Sequence, residues 1–187
     1  MPLIDKTYFV GDISIPAKTY DNLDLFIARY EKELLIRLFG MDIYTLIAAY
    51  NPEDEPATPE NILDIIKGKE FIENDITYRW NGLINTEKIS PIAYYVYYHY
   101  MRHSVSHTST TGEIKSKHKH SDPADITNKV SLAWFKLKEL IGEHGYLGYH
   151  IDNYTYYNSL FYFMNKNLES YPTWRCTYIG SVNSFDL

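Results

Sequence analysis

The chain of 187 residues contains a single cysteine, Cys176. That excludes an intrachain disulfide and any zinc or iron–sulfur site built on several thiolates, and it suits a reducing compartment. Long apolar runs are also missing: none approaches the roughly 18 residues that a membrane span needs. The opening Met1-Pro2-Leu3-Ile4-Asp5-Lys6 lacks the basic-then-apolar order of a signal peptide. The expectation is a soluble protein made in a cytoplasm, without a membrane partner. Positive charge is in deficit as well, with a formal net charge of −6. Affinity for a nucleic-acid backbone comes mainly from Lys and Arg neutralising phosphates, so gripping nucleic acid is not the expected main task. There is no Gly-rich phosphate loop, no GxSxG elbow, no internal repeat and no low-complexity segment.

What is abundant is tyrosine: 19 residues, within an aromatic fraction of 16%. Tyrosine buries a ring while keeping a polar tip bonded, so this composition points to packing and contact surfaces. The length fits one domain with one core. Periodicity predicts a mainly α fold, a compact bundle of about five to six helices spanning residues 19–172, with an extended N-terminal arm at 1–18 and an extended C-terminal tail at 173–187.

Along the chain, the arm alternates weakly through Tyr8, Val10, Ile13 and Ile15 and ends at Pro16. Leu23, Phe26, Ile27, Tyr30, Leu34 and Leu38 then recur at helical spacing, with Asp21 and Asp24 suited to the first turn and Gly40 to a left-handed exit. A shorter run, Ile43 to Ala49, predicts a second helix packed back on the first. Three later helix starts pair a capping residue with proline: Thr58-Pro59, Ser90-Pro91 and Asp122-Pro123. Phe71 to Asn85, with Trp80-Asn81-Gly82, reads as a loop or small hairpin. A helix carrying Ile126, Val130, Ala133, Trp134, Leu137, Leu140 and Ile141 follows. The last helix is expected from about Ile151 to Leu168 as one continuous seam.

The helix opened by Ser90-Pro91 carries Ile92, Ala93, Tyr94, Tyr95, Val96, Tyr97, Tyr98, Tyr100 and Met101. Apolar and aromatic side chains thus surround its whole circumference, which fits a central core helix or one shared with an adjacent subunit. At its end His99, His103 and His107 fall at four-residue steps, a helical face that suits a divalent metal or simply surface and core histidines. The polar stretch from Thr108 to Ser121, basic at Lys115, Lys117 and Lys119, reads as a long link. It is either a solvated loop or one that meets a partner or passing nucleic acid through charge. Glu53, Asp54 and Glu55 read as a solvated acidic loop. Glu70, Glu73 and Asp75 lack the lysine that a magnesium nuclease site would add. No catalytic residue, cofactor or resident metal is expected.

Two segments taken together, Phe26 to Tyr44 and Ile92 to Tyr98 followed by Gly112-Glu113 and a polar linker into Val130-Ser131-Leu132-Ala133-Trp134, resemble the head–tail connector (head completion or adaptor) proteins of tailed bacteriophages, particularly those of Bacteroides-type hosts. The resemblance covers most of residues 20–141, and the aromatic C-terminal region from Tyr146 onward departs from it. It implies a virion neck protein, made in the host cytoplasm, that forms a homo-oligomeric ring, commonly dodecameric. The ring would lie between the portal protein and tail or further neck proteins, in non-specific proximity to packaged DNA. The residues expected to meet partners are Tyr8 and Val10 in the arm, Lys115, Lys117 and Lys119 in the loop, and Trp174, Tyr178 and Phe185 in the tail. Two other readings stand beside it: a metal-dependent, nuclease-like enzyme using the histidine face, and a small cytoplasmic adaptor.

Overall fold

A computed structural model describes residues 2–15, 22–109, 112–115, 126–142 and 153–177. The first long element, α1 (Leu23–Ala48), buries Leu23, Ile27, Tyr30, Leu34, Leu38 and Phe39 at three- and four-residue steps. Gly40 (φ 77°, ψ 171°) interrupts it, so α1 is two helical limbs meeting at an elbow. This matches the glycine exit and second helix read from the sequence, and the second limb buries Ile43 and Ile47.

A 3-10 segment, Pro52–Ala57, follows, with the Asn51 side chain accepting from Glu53 N at 3.1 Å. The next helix, α2 (Glu60–Lys67), departs from expectation at its start. Pro59 (φ −54°, ψ 138°) occupies the N-cap position, and Thr58 makes no capping bond. The proline's fixed φ with an extended ψ moves the boundary one residue later than the Thr-Pro pattern implies. Helix α2 then buries Ile62, Ile65 and Ile66.

Strands β1 (Lys69–Glu73) and β2 (Ile76–Trp80) pair antiparallel, with Phe71 opposite Tyr78 and Ile72 opposite Thr77. The connecting residues Asn74 and Asp75 both have positive φ (50° and 63°), the conformation of a type I′ hairpin turn, and these residue types tolerate it best after glycine. The hairpin option is therefore realised, with its reversal at Asn74-Asp75 and not at Asn81-Gly82.

Ser90 opens α3 (Pro91–Val105) as the sequence predicts: its Oγ accepts from Ile92 N (3.2 Å) and donates to Leu83 O (2.6 Å). Residues 90–98 are all buried, as is Tyr100. The helix packs against both α1 and α4 (Ile126–Ile141), which makes it the central helix of the chain's own core. Two of its buried hydroxyls find partners across the core or along the helix. Tyr95 donates to Glu33 Oε1 at 2.9 Å, and Tyr98 accepts from Arg102 Nη1 at 2.7 Å.

Two expectations fail beyond this point. The long polar link is partly a hairpin, because β3 (Ser106–Ser109) pairs antiparallel with β4 (Gly112–Lys115). The final helix is not continuous: α5 (Asn153–Tyr157) stops and α6 (Leu160–Lys166) restarts. Ser159 (φ −86°, ψ 162°) breaks them apart, its Oγ donating to Tyr156 O (2.6 Å) and accepting from Tyr162 N (3.4 Å). Such serine bonding competes with continued helix and starts a new one. The Asp122-Pro123 start lies outside the described residues. No helix among the described residues is long and apolar enough to cross a membrane.

Candidate protein-interaction site

The arm is held to its own chain. It contains two 3-10 turns, Lys6–Tyr8 and Gly11–Ile13, where the sequence suggests a weakly alternating extended segment. Ile4, Phe9, Ile13 and Ile15 are buried in the core. The anchor is Glu31 on α1, only 6% exposed, whose two carboxylate oxygens accept from Leu3 N (2.8 Å) and Ile4 N (3.3 Å). Burial raises its pKa to about 7, against the opposing pull of those amides. Beside it, a cavity of about 190 Å³ sits in the α1 elbow, walled by Leu35, Tyr44, Ile47 and Leu3. Of the two arm residues singled out by sequence, Tyr8 is half-buried with its hydroxyl donating to Asn85 O at 3.4 Å, whereas Val10 is 51% exposed.

At the elbow the C-terminal segment meets α1. Gly40 ends the first limb, so the last carbonyls of that limb lose their helical amide partners. Three consecutive ones are taken by the tail: Leu38 O accepts from Trp174 Nε1 (2.7 Å), Phe39 O from Arg175 N (3.4 Å) and Arg37 O from Thr177 N (2.7 Å). A Cβ on Gly40 would lie 3.2 Å from Arg175 Cβ, so the close approach and the positive φ both select glycine. Trp174 also packs against Phe161, ring centroids 6.2 Å apart, and is half-buried. A tail without core periodicity suggests that removing Trp174 would spare the fold. Its packing and its bond to Leu38 lead instead to an expected loss of about 1–3 kcal/mol for Trp174→Ala, measured by urea denaturation.

The other tail and loop candidates lie elsewhere. Lys115 ends β4, opposite Ser106. Lys117, Lys119, Tyr178 and Phe185 fall outside the described residues.

A further exposed surface is formed by the β1–β2 hairpin and α6, and sequence reading missed it. Ile72 and Ile76 are 75% and 54% exposed. Ile76 pairs with Glu73 and so shares a face with Phe71 and Tyr78, whereas Ile72, opposite Thr77, lies on the other face. On the Ile76 face Phe71, Tyr78, Tyr157 and Tyr162 form an aromatic cluster, with Tyr78–Tyr157 centroids at 5.0 Å and Tyr157–Tyr162 at 4.8 Å. Charges around it are paired: Glu73 with Lys166 and with the Tyr162 hydroxyl, and Glu70 with Arg79 at 3.6 Å. A surface so neutralised offers little field to attract phosphate and suits a protein partner. The available signal was the pair of isoleucines flanking Asn74-Asp75, a turn sequence between exposed β-branched residues.

The histidine face does not form. Helix α3 ends at Val105 and His107 stands in β3, so the two four-residue steps do not lie on one helix. His99 stacks on Tyr30 (4.1 Å, 8°) with its Nε2 buried and unpartnered, while His103 lies edge-on to Phe26. Burial lowers the His99 pKa to about 4; Glu33 opposes that shift, while Arg102, Arg37 and His103 reinforce it. Among the described residues no group of three or more His, Cys, Asp or Glu side chains is placed to hold a metal ion.

Comparison with protein-family models, curated proteins and solved structures returns no match for this chain.

Proposed function

We propose that this protein is a structural subunit of a phage neck, assembling with further copies of itself into a ring between portal and tail proteins without catalysing a reaction. The observation that carries the reading is the motif order of residues 20–141: a long helix ending at Phe39-Gly40, then the tyrosine helix entered through Ser90-Pro91, then the helix bearing Val130 to Trp134. The helical domain is compatible with it. A ring is built from heterologous contacts, so each subunit must present two different faces. Exposed apolar side chains stand on separate elements here: Leu25 and Met41 on α1, Ile72 and Ile76 on the hairpin, and Leu132 on α4. The enzyme reading loses its geometric basis with the departure of His107 from the helix.

The test is electron microscopy of the purified chain mixed with its candidate portal ring. An added ring of density at the portal's outer end is the expected result. Portal rings that stay bare at saturating subunit concentration would sink the assignment.

A further inference from the structure

The C-terminal segment carries features of an exchangeable strap. Its fixed end is Tyr171, 3% exposed, with its hydroxyl donating to Asn61 O at 2.7 Å and its ring beside Phe163. Immediately afterwards Pro172 and Thr173, both exposed, form a tight turn closed by Trp174 N donating to Tyr171 O at 3.0 Å. Beyond the turn the strap touches α1 through the three bonds to Arg37, Leu38 and Phe39, while Arg175, Cys176 and Thr177 remain exposed. The strap is thus a short donor set, joined to the domain by a two-residue hinge that contains proline, and seated on a preformed acceptor set. Short hinges of this kind are the ones that open into exchanged arms.

We propose that in the assembled ring the strap at residues 173–177 leaves its own elbow and makes the same three bonds to the Gly40 elbow of a second copy of this chain. This rests on the ring reading above and names the contact that links neighbours. The occupant is a second copy because the elbow already recognises this strap: each copy carries the identical donors, Trp174 Nε1 and the amides of Arg175 and Thr177, and the identical acceptors. Exchange therefore leaves the three elbow carbonyls paired, while the turn bond at Tyr171 O is given up and its group becomes solvated. Reach fixes the geometry. With the turn opened, Trp174 lies at most about 10 Å from Tyr171, so the neighbour's elbow must approach to that distance. Leu168, 49% exposed just before the strap's anchor, and Met41, 57% exposed just after the elbow glycine, are the apolar side chains such an approach covers.

The experiment uses full-length Met41→Cys chains, in which Cys176 is the only other thiol. Equal amounts of ¹⁴N- and ¹⁵N-labelled chains are mixed as subunits, assembled on the portal ring and treated with a short bismaleimide. Peptides linking residues 41 and 176 are then read by mass spectrometry. Exchange predicts that about half of these links join one light and one heavy chain, as random neighbours require. Rings whose 41–176 links are all light–light or heavy–heavy would overturn the exchange and leave the ring reading standing. Portals that gather no subunits would overturn both.

Discussion

Gly82→Ala is expected to unfold most of the protein's margin of stability, by about 4 kcal/mol or more, whereas Gly11→Ala should cost only about 1 kcal/mol. Both glycines have positive φ, 84° and 60°, so the conformational strain on an added Cβ is similar in kind. The difference is space. A Cβ on Gly11 meets nothing within 4 Å, but on Gly82 it would sit 2.5 Å from the Lys67 carbonyl carbon and 2.6 Å from Gly68 N. These are backbone atoms, and no rotamer change can move them. Gly68 faces the same crossing from the other side, its virtual Cβ 2.2 Å from Trp80 O. The crossing is bolted by Trp80 Nε1 to Ile65 O (3.0 Å), Leu83 N to Ile65 O (3.2 Å) and Ile84 N to Ile66 O (2.9 Å). Forcing the strands apart breaks those bonds and lifts Trp80, 1% exposed, out of the core. Urea denaturation followed by circular dichroism separates the two variants; equal midpoints would refute the steric argument.

The second large effect concerns acidity. Glu31 holds its proton to about pH 7, so between its ordinary value of 4.5 and 7 the folded chain binds more protons than the unfolded one. Stability from this group is fully present below about pH 4.5 and is lost as pH rises to 7. His99 acts in reverse. Its folded pKa is near 4 against an ordinary 6.5, so the unfolded chain binds more protons over that window and stability rises with pH. Over the shared range the two slopes oppose each other. Each is worth about 2–3 kcal/mol, the His99 value being the smaller because its ring is only partly buried. Glu31→Gln should therefore show stability that climbs relative to wild type from pH 4.5 to 7, and His99→Phe stability that falls relative to wild type from pH 4 to 6.5. The other carboxylates are common to all three proteins and cancel in the comparison. Parallel curves for Glu31→Gln and wild type would show that the carboxyl is not buried as described.

Much of this fold is legible in local sequence chemistry. The elbow at Gly40, the Ser90-Pro91 start and the central placement of the tyrosine helix all follow from patterns in which a residue's own neighbours decide its state. What escaped reading depends on partners distant in sequence. Nothing near Ile4 or Phe9 announces that Glu31, on another element, will hold the arm by its amides. The seam from Ile151 to Leu168 is helical by spacing, yet Ser159 takes an extended backbone and turns its hydroxyl to Tyr156 O. Likewise Trp174 looks like a loose anchor until the unpaired carbonyl of Leu38, freed by the glycine before which it lies, supplies its acceptor. For the candidate contacts, the exposed isoleucines of the hairpin were visible as residues but not by face, because the register that pairs Ile72 with Thr77 and Ile76 with Glu73, and so sends them to opposite faces, comes from the turn.

The position of α3 between α1 and α4 also bears on how the chain is made. A helix that is apolar and aromatic all round has no face it can leave in water, and α1 covers only part of it. Until α4 docks, the remaining side stays uncovered. A band of tyrosines left bare before the fourth helix arrives is a surface through which unfinished chains can stick, so whatever slows the docking of α4 prolongs that exposure.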